Sequence, residues 1–422
     1  MRPKLVICIP TYNRSRVISQ VLDYEAGMLK ENGIDLIIYD SSENQDTENI
    51  YETYKNKGFV NLFLKKVDPR ILSNRKIYMI WQDMEHSDYD YIWLIHDHRI
   101  CTQTAISHIL QALEENKDFY ILNTLGKGRA VNTEISTRNA FFREGVSLLT
   151  LYGASIINRR TFLSGTDWKR LEQRYLKGRD INFSQLGFYY ERASQISDLK
   201  AALLEFPIDS FIYIPLKEQG GFGWYSDAVR IWTKCWAVTI LKLPACFKGK
   251  MEIIRSTEKI HLSGRKLIVY QKDGILNFAS FFRYMVWIKA ASSESLWQHF
   301  FMAAGQPGRA LKVHNRTFIK KIRKMQKQHK TIVIFGAGKY ACLCAELFGK
   351  NQVEFDAFIV TSKEKNPEDL MGHPVLSAAE YFNRESDSIV IIAVASDKIQ
   401  KEIQEYLRSL YKSIEVVCFE NW

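Results

Sequence analysis

Apolar runs alternate with amphipathic segments along the first 125 residues. Continuous apolar runs predict strands, and apolar positions spaced three or four residues apart predict helices. The predicted strands are residues 4–9, 35–39, 60–65, 91–95 and 119–122, and the predicted helices are residues 15–30, 43–57, 71–84 and 102–115. Strands this apolar, separated by helices, indicate an α/β fold with a mostly parallel sheet covered on both faces.

Polar side chains follow four of the predicted strands at the point where each strand ends. They are Thr11, Tyr12, Asn13 and Arg14 after the first strand, Asp40 after the second, Ser73, Asn74, Arg75 and Lys76 at the helix that follows the third, and His96, Asp97, His98 and Arg99 after the fourth. Ligands of parallel sheets bind beyond the carboxyl ends of the strands. We therefore expect these side chains to share one crevice.

These strand ends resemble those of family 2 glycosyltransferases with the GT-A fold. LVICIPTYNRS is similar to the first strand of that family, IDLIIYDSS to the second and YDYIWLIHDHRI to the fourth, and LLTLYGASIINR resembles a later segment on the acceptor side. The resemblance extends over residues 1–245. It implies a GT-A glycosyltransferase that moves a sugar from a nucleotide-diphosphate sugar to a surface-polysaccharide or glycoprotein acceptor.

The resemblance also implies a nucleotide-sugar site at these strand ends. The turn of Thr11, Tyr12, Asn13 and Arg14, together with Asp40, is expected to hold the nucleoside, and Arg75 and Arg99 belong to the same predicted site. Backbone N–H groups and a cation suit a nucleotide at such a turn. The alternative for Asp40 is a helix N-cap or a turn residue.

The metal motif departs from the family pattern. The family holds Mg²⁺ or Mn²⁺ with an Asp-x-Asp stretch, and only Asp97 remains here. Three accounts are open. Asp97 and a histidine, His98 or His96, hold a Mn²⁺-like ion, since imidazole suits transition metals better than Mg²⁺; Arg99 replaces the metal with a fixed positive charge; or donor binding has been lost.

An inverting reaction needs a general base near the acceptor hydroxyl. Asp167, Asp180 and Glu191 are the candidates, and we favour Asp180 because a helical aromatic pattern follows it. Each could equally be a solvated surface acid, and the sequence also allows a retaining reaction. Trp224, at the end of the glycine-rich loop 220–224, is a candidate acceptor-side residue, with a place in the hydrophobic core as the alternative.

Residues 246–330 are expected to form a helical and basic connecting region. The segment 278–288 is apolar almost all round, which predicts burial between domains or a helix at a membrane interface. The segment 309–330 holds nine Lys and Arg residues and no acid. It is either a solvated helical linker or a contact for anionic lipid or a phosphate-bearing acceptor.

Residues 331–422 predict a small Rossmann-like domain. TIVIFGAGKYACLCAELF places Gly336, Gly338 and Ala341 in a dinucleotide fingerprint between a strand and a helix. The next predicted strand ends in Thr361 and Ser362 and lacks an acid for a ribose, so NAD is not expected. The segment resembles Rossmann-like units at the ends of some bacterial glycosyltransferases. Tight packing of Gly338 is the alternative.

The net charge of +11 and a sequence pI of about 9.1 favour anionic partners. Nucleic-acid motifs are absent from the sequence, and Mn²⁺ or Mg²⁺ is the cofactor that the family resemblance leaves open. The seven cysteines form no CxxC pair, which indicates a reducing compartment. With neither a signal peptide nor a transmembrane segment predicted, we expect a cytoplasmic enzyme, at the inner face of the membrane if residues 278–330 contact lipid. A catalytically degraded, partner-binding scaffold and a nucleotide-binding regulatory protein are the alternatives.

Overall fold

The computed structural model describes residues 3–124, 130–178, 180, 182–215, 224–328, 331–364, 366–383, 387–411 and 414–419. The chain divides into two compact units. The first is Met1–Leu262 with Val286–Ala291, and the second is Ser263–Met285 with Ser292–Trp422. The three domains predicted from the sequence, 1–245, 246–330 and 331–422, stay a prediction.

The first unit is built on a mixed, mostly parallel sheet. Its described strands are β1 (Leu5–Thr11), β2 (Asp35–Asp40), β3 (Leu62–Lys66), β4 (Tyr91–Leu94), β5 (Arg99–Cys101), β6 (Phe119–Asn123), β7 (Val131–Ile135), β8 (Ser155–Asn158), β9 (Ala201–Glu205) and β10 (Phe211–Tyr213). The sheet order is β3-β2-β1-β4-β8-β6-β9-β7. β8 runs antiparallel to β4 and β6, and β7 antiparallel to β9. The predicted α/β class is confirmed.

Helices cover both faces of this sheet. They are α1 (Ser15–Glu31), α2 (Asp46–Asn56), α3 (Ser73–Glu85), α4 (Gln103–Leu113), α5 (Arg138–Gly145), α6 (Arg159–Phe162), α7 (Trp168–Tyr175), α8 (Ser184–Gln195), α9 (Ala228–Arg230), α10 (Trp236–Lys242), α11 (Lys250–Ser256) and α12 (Glu258–His261). A π-helical stretch, Ile231–Cys235, joins α9 to α10. Short 3-10 turns are Leu148–Thr150, Ile208–Ser210 and Tyr225–Asp227.

The central strands explain the continuous apolar runs of the sequence. Leu5 is 2% exposed, and Val6, Ile7, Cys8 and Ile9 are fully buried. A strand buried on both faces has no polar side to alternate with. The nine elements predicted for the first 125 residues are all present, with ends shifted by at most three residues.

Strand register brings the polar strand ends together. Thr11 at the end of β1 is paired with Asp40 at the end of β2, and Cys8 of β1 is paired with Leu94 of β4. The residues that follow β4 enter a two-stranded ribbon, in which β5 pairs with β10 in antiparallel register. The carboxyl ends of β1, β2 and β4 thus border one crevice.

The second unit combines helices with a second sheet. The helices are α13 (Gly264–Lys272), α14 (Phe278–Ala291, shared with the first unit), α15 (Leu296–Ala303), α16 (Pro307–Gln326), α17 (Lys339–Lys350), α18 (Ala378–Phe382) and α19 (Asp397–Leu410). The strands are β11 (Thr331–Phe335), β12 (Ala357–Val360), β13 (Asp369–Leu370), β14 (His373–Ser377), β15 (Ser388–Ile392) and β16 (Glu415–Cys418), in the order β13-β14-β12-β11-β15-β16. All neighbours are parallel except β13 and β14.

The buried face of α16 belongs to the core of this second sheet. Phe318, Ile319, Ile322 and Met325 cluster with Ile332 of β11 and with residues of α17. None of the helices in the described parts of either unit has the length and hydropathy to cross a bilayer.

Candidate active site

A cavity of about 210 Å³ lies at the carboxyl ends of β1 and β4. Its walls come from the two strand ends, from the first turn of α3 and from the segment before β8. They are formed by Pro10, Thr11, Tyr12, Arg14, Ser73, Lys76, Ile77, His96, Asp97 and Tyr152. Three of the seven residues predicted for nucleotide-sugar binding, Thr11, Tyr12 and Arg14, line this cavity together with Asp97.

The carboxylate of Asp97 contacts three neighbouring side chains at hydrogen-bond distance. One carboxylate oxygen accepts from Arg14 Nη1 at 2.9 Å and contacts His98 Nδ1 at 3.2 Å, and the other accepts from Thr11 Oγ1 at 3.0 Å. Burial alone would raise the pKa of Asp97, but the hydrogen bond with His98 and the charge of Arg14 outweigh it and lower the pKa. Asp97 is therefore a carboxylate at neutral pH.

Asp97 and His98 are the residues at which a metal ion was predicted. Mg²⁺ takes oxygen ligands, commonly one or two carboxylates with substrate phosphates. Both oxygens of Asp97 are already held by Thr11, Arg14 and His98, and within the described ranges no three His, Cys, Asp or Glu side chains converge to hold a metal. The described residues form no metal site from protein ligands alone, and the metal role predicted for Asp97 and His98 stays a prediction.

Lys76 was expected in the shared crevice, but no role in donor binding was predicted for it. It is 4% exposed, and its ammonium group donates to the carbonyl oxygen of Thr11 at 2.8 Å and to the hydroxyl of Ser41. Burial lowers the pKa of Lys76 to about 8, although the charges of Asp40 and Asp97 partly oppose the shift. A signal was present in the sequence: Lys76 lies four residues before Ile80 and continues the buried stripe of α3.

Arg75, the neighbouring residue on α3, faces away from this stripe. Its side chain is about half exposed, and its guanidinium pairs with Glu172 of α7 at 3.0 Å. Successive helical residues point about 100° apart, so only one of the two can line the cavity. Donor contact by Arg75 stays a prediction.

Asp40 lies fully buried behind the cavity. It accepts from the backbone N–H and the hydroxyl of Ser42 and from Lys66 Nζ, the last at 3.0 Å. The neighbouring turn is tied to it, because Asn13 has a left-handed φ of 52° and donates its backbone N–H to Ser42 Oγ at 2.8 Å. These bonds match the turn role considered for Asp40, and its contact with a nucleoside stays a prediction.

Tyr12 lies on the exposed side of the same turn. It is 46% exposed, and its hydroxyl lies 3.4 Å from a carboxylate oxygen of Glu43. An exposed aromatic face beside the cavity is available for stacking on a planar ligand.

Arg99 is buried on β5, next to the ribbon partner β10. Its Nη1 donates to Thr124 Oγ1 at 2.6 Å, and its guanidinium lies 4.5 Å from the ring centroid of Tyr213. Its Nε and Nη2 have no hydrogen-bond partner in the described part of the chain. Burial lowers the pKa of Arg99 to about 10, so it stays charged at neutral pH. It does not line the cavity around Asp97.

A row of rings leads from the cavity toward Arg99. Ring centroids lie 5.4 Å apart for Tyr152 and His96, 4.9 Å for His96 and His98, and 6.3 Å for His98 and Tyr213. Burial lowers the pKa of His96 to about 3, helped by the positive charges near it, so its imidazole is neutral at pH 7. A neutral imidazole offers the site both a hydrogen-bond donor and an acceptor.

The three candidate bases have distinct surroundings. Asp167 caps α7 by accepting from the backbone N–H of Arg170, and Glu191 is buried with Arg174 and Tyr175. Asp180 is half-buried and pairs with Lys234 Nζ at 2.7 Å. All three candidates therefore have partners in the structure, and the role of Asp180 as a base stays a prediction.

Trp224 is 40% exposed, and its ring centroid lies 6.3 Å from that of Trp232. The rest of the loop predicted beside it, residues 220–223, lies outside the described residues. The acceptor-side role of Trp224 stays a prediction.

The glycine loop of the second unit borders a separate cavity of about 420 Å³, which is also lined by Thr361 and Ser362. Gly336 has a φ of 123°, and a Cβ there would lie 3.0 Å from the carbonyl oxygen of Ala393. Nothing lies within 4 Å of a Cβ built on Gly338, so tight packing does not explain that glycine. Ligand binding by Gly336 and Gly338 stays a prediction.

Comparison with known proteins gives one family match. Residues 6–163 match the model described as glycosyl transferase family 2. A search of curated proteins found no match.

Several solved structures are similar at low identity. S. aureus TarS 1-349 in complex with UDP-GlcNAc is 13% identical, with 74% of this chain and 90% of that chain covered and a TM-score of 0.45. Mannosyltransferase PcManGT from Pyrobaculum calidifontis, in complex with GDP-Man and Mn²⁺, is 13% identical, with 73% and 87% covered and a TM-score of 0.37. Another S. aureus TarS structure is 15% identical, with 69% of this chain covered and a TM-score of 0.40; the match spans about half of that chain, 49%.

Proposed function

We propose that this chain, which carries a glycosyl transferase family 2 domain over residues 6–163, transfers a sugar from a nucleotide-diphosphate sugar to a hydroxyl of a surface-polysaccharide or glycoprotein acceptor. The observation that carries the proposal is the cavity where Asp97, Arg14 and Lys76 meet at the ends of β1 and β4. Two cations in one partly dry pocket suit the diphosphate of such a donor.

The donor diphosphate is placed against Arg14 and Lys76. In the transfer, the bond between the anomeric carbon and the diphosphate oxygen breaks while the acceptor oxygen bonds to that carbon. Negative charge grows on the departing diphosphate, and preorganised positive groups stabilise it more strongly in the transition state than in the ground state. Asp97 accepts a hydrogen bond from the Arg14 guanidinium and one from Thr11 Oγ1, so it holds Arg14 in position.

Asp180 is proposed as the base of an inverting transfer. It would accept the proton of the acceptor hydroxyl after Lys234 has moved away, since the two now form an ion pair. Asp180→Asn keeps the shape of the side chain and removes its basicity. We expect it to lower kcat with little change in donor affinity.

We propose that Arg14 and Lys76 neutralise the charge of the leaving group in place of a metal ion. Activity should then survive EDTA, and Arg14→Ala should be about as damaging as Asp97→Ala. Arg99→Ala should matter less, because Arg99 does not line the cavity. If EDTA abolishes activity and Mn²⁺ restores it, a metal site at Asp97 and His98 is the correct account.

The test is release of nucleoside diphosphate from a panel of nucleotide sugars, with and without EDTA. We expect Asp97→Ala to lower turnover at least ~10²-fold, the size seen when one preorganised electrostatic contact is lost. Asp88→Ala is the matched control, since its side chain is 91% exposed. A protein that neither binds nor hydrolyses any donor would support the alternative of a catalytically degraded, partner-binding scaffold.

A further inference from the structure

Four large apolar side chains lie exposed and near one another in the second unit. Phe278, Phe282 and Met285 are spaced four and three residues apart on α14, so they share one face, and Trp297 lies on α15. Their exposed fractions are 49%, 61%, 36% and 64%. We call these four residues the aromatic patch. Single exposed apolar residues are normal on a protein, whereas a contiguous group marks an interaction site.

The ring of Phe300 joins the three aromatic members of the patch. Its centroid lies 5.6 Å from that of Phe278, 6.3 Å from that of Phe282 and 5.7 Å from that of Trp297. Phe281 packs beneath them, at 3% exposure and 5.7 Å from Phe300. The patch is therefore the outer layer of one packed aromatic cluster.

A row of basic side chains begins at the edge of the aromatic patch. Along α16 the exposed residues Arg309, Lys312, Arg316, Lys320 and Arg323 recur every three or four positions and so occupy one face, which we call the basic stripe. The buried residues of α16, among them Phe318, Ile322 and Met325, lie on the opposite side. Within the described ranges, no member of the stripe forms an ion pair.

The stripe and the patch are linked through the ring of Phe301. The Arg309 guanidinium lies 5.9 Å from the ring centroid of Phe301, and the Phe301 ring lies 6.3 Å from that of Trp297. Exposed aromatic side chains and exposed basic side chains therefore occur together on this unit.

We propose that the aromatic patch and the basic stripe bind the surface of a lipid bilayer that contains anionic phospholipids. Trp and Phe side chains are stable at the boundary between headgroups and acyl chains, and Lys and Arg are attracted to an anionic surface. Neither feature alone supports this proposal. The link from Arg309 through Phe301 to Trp297 supports it, because it brings the two features together. The proposal is independent of the sugar transfer and concerns where the enzyme works.

The aromatic patch and the basic stripe together also distinguish a bilayer from nucleic acid as the binding partner. The phosphates of a nucleic-acid duplex would bind to the basic stripe, with no need for an exposed Phe282 or Met285. Bilayer binding needs both features. Variants in each feature therefore distinguish the two partners.

The test is co-sedimentation of the full chain with vesicles of phosphatidylcholine alone and of phosphatidylcholine mixed with phosphatidylglycerol. We expect at least ~10-fold stronger binding to the anionic vesicles, weakened by added salt as surface electrostatics are screened. Phe282→Ala with Trp297→Ala should weaken that binding at least ~10-fold through the lost apolar area. Lys312→Glu with Arg316→Glu should remove the preference for anionic vesicles.

Two matched controls keep the result specific. Met371→Ala removes another exposed apolar side chain of the same unit, 50% exposed, and Lys401→Glu reverses an exposed charge on α19. Both should bind vesicles like the parent, and every variant should keep the parent's melting temperature and its donor hydrolysis. The proposal fails if the parent ignores anionic vesicles, or if the patch and stripe variants bind them as well as the parent. It also fails if a single-stranded oligonucleotide binds through the stripe while vesicles do not.

Discussion

At the scale of single residues, the site depends on a lysine that carries its charge in a nearly dry position. Lys76 is held by the carbonyl oxygen of Thr11 and the hydroxyl of Ser41, and both bonds aim its ammonium group toward the ends of β1 and β2. Burial makes the charged form costly, which lowers the pKa of Lys76 to about 8. A diphosphate bound beside it would offset that cost, so we expect binding to depend on its proton.

The first prediction concerns the pH dependence of the reaction. Lys76 is protonated below pH 8 and neutral above it, so kcat/KM for the donor should be high below about pH 8 and fall as the pH rises through that value. Lys76→Arg keeps a positive charge to high pH and should move the fall upward. Lys76→Met should hold kcat/KM below pH 8 near the low value that the parent reaches at high pH, and so remove this dependence. A profile that is the same in the parent and in Lys76→Arg would exclude Lys76 from the site.

At the scale of elements, the helix behind the cavity is positioned by close packing. Gly187 in the first half of α8 faces the ring of Tyr175, and a Cβ built on it would lie 2.3 Å from Tyr175 Cγ. Tyr175 in turn donates to the carboxylate of Glu191 on the same helix. The contact between α7 and α8 therefore requires a residue without a side chain at position 187.

The second prediction compares two glycines that lie inside helices. Gly187→Ala should lower the free energy of unfolding by about 1–3 kcal/mol, because the ring of Tyr175 must move. Gly27→Ala in α1 is the matched control, since nothing lies within 4 Å of a Cβ there. It should raise stability by about 0.5–1 kcal/mol. Denaturant unfolding measures both, and equal effects of the two substitutions would contradict the packing argument.

At the scale of the whole molecule, each compact unit has a hydrophobic core of its own. The core of the first unit contains Ile7 of β1 and Trp93 of β4. The second unit has one cluster on each face of its sheet, with Ile334 on one face and Val333 on the other. Units with separate cores unfold as separate cooperative transitions unless an extensive interface couples them.

The third prediction is that calorimetry of the full chain resolves two transitions. Ile7→Ala should lower the midpoint temperature of one transition, and Ile334→Ala that of the other. Each substitution should reduce the free energy of unfolding of its unit by about 2–5 kcal/mol. UDP or GDP should raise the midpoint temperature of the transition that is sensitive to Ile7→Ala, because ligands stabilise the unit that binds them. If both substitutions lower one common transition, the units do not unfold independently.

The sequence by itself determined the alternation of strands and helices over the first 125 residues and the clustering of polar groups at strand ends. Both follow from local patterns, because buried strands are apolar throughout and parallel strands end at one edge. It also showed that Asp97 follows a buried strand, and it supplied the likeness to the family that residues 6–163 match.

Only the tertiary structure decided which groups meet at that edge. Asp97 binds Thr11 and Arg14, residues 86 and 83 positions away, and no local pattern records such pairings. The insertion of β8 between β4 and β6 and the pairing of β5 with β10 likewise depend on strands far apart in the chain. Arg99 is buried where β5 pairs with β10, and the orientation of α3 places Lys76 in the cavity. The packing of whole elements determines where each side chain points, so neither result follows from local sequence.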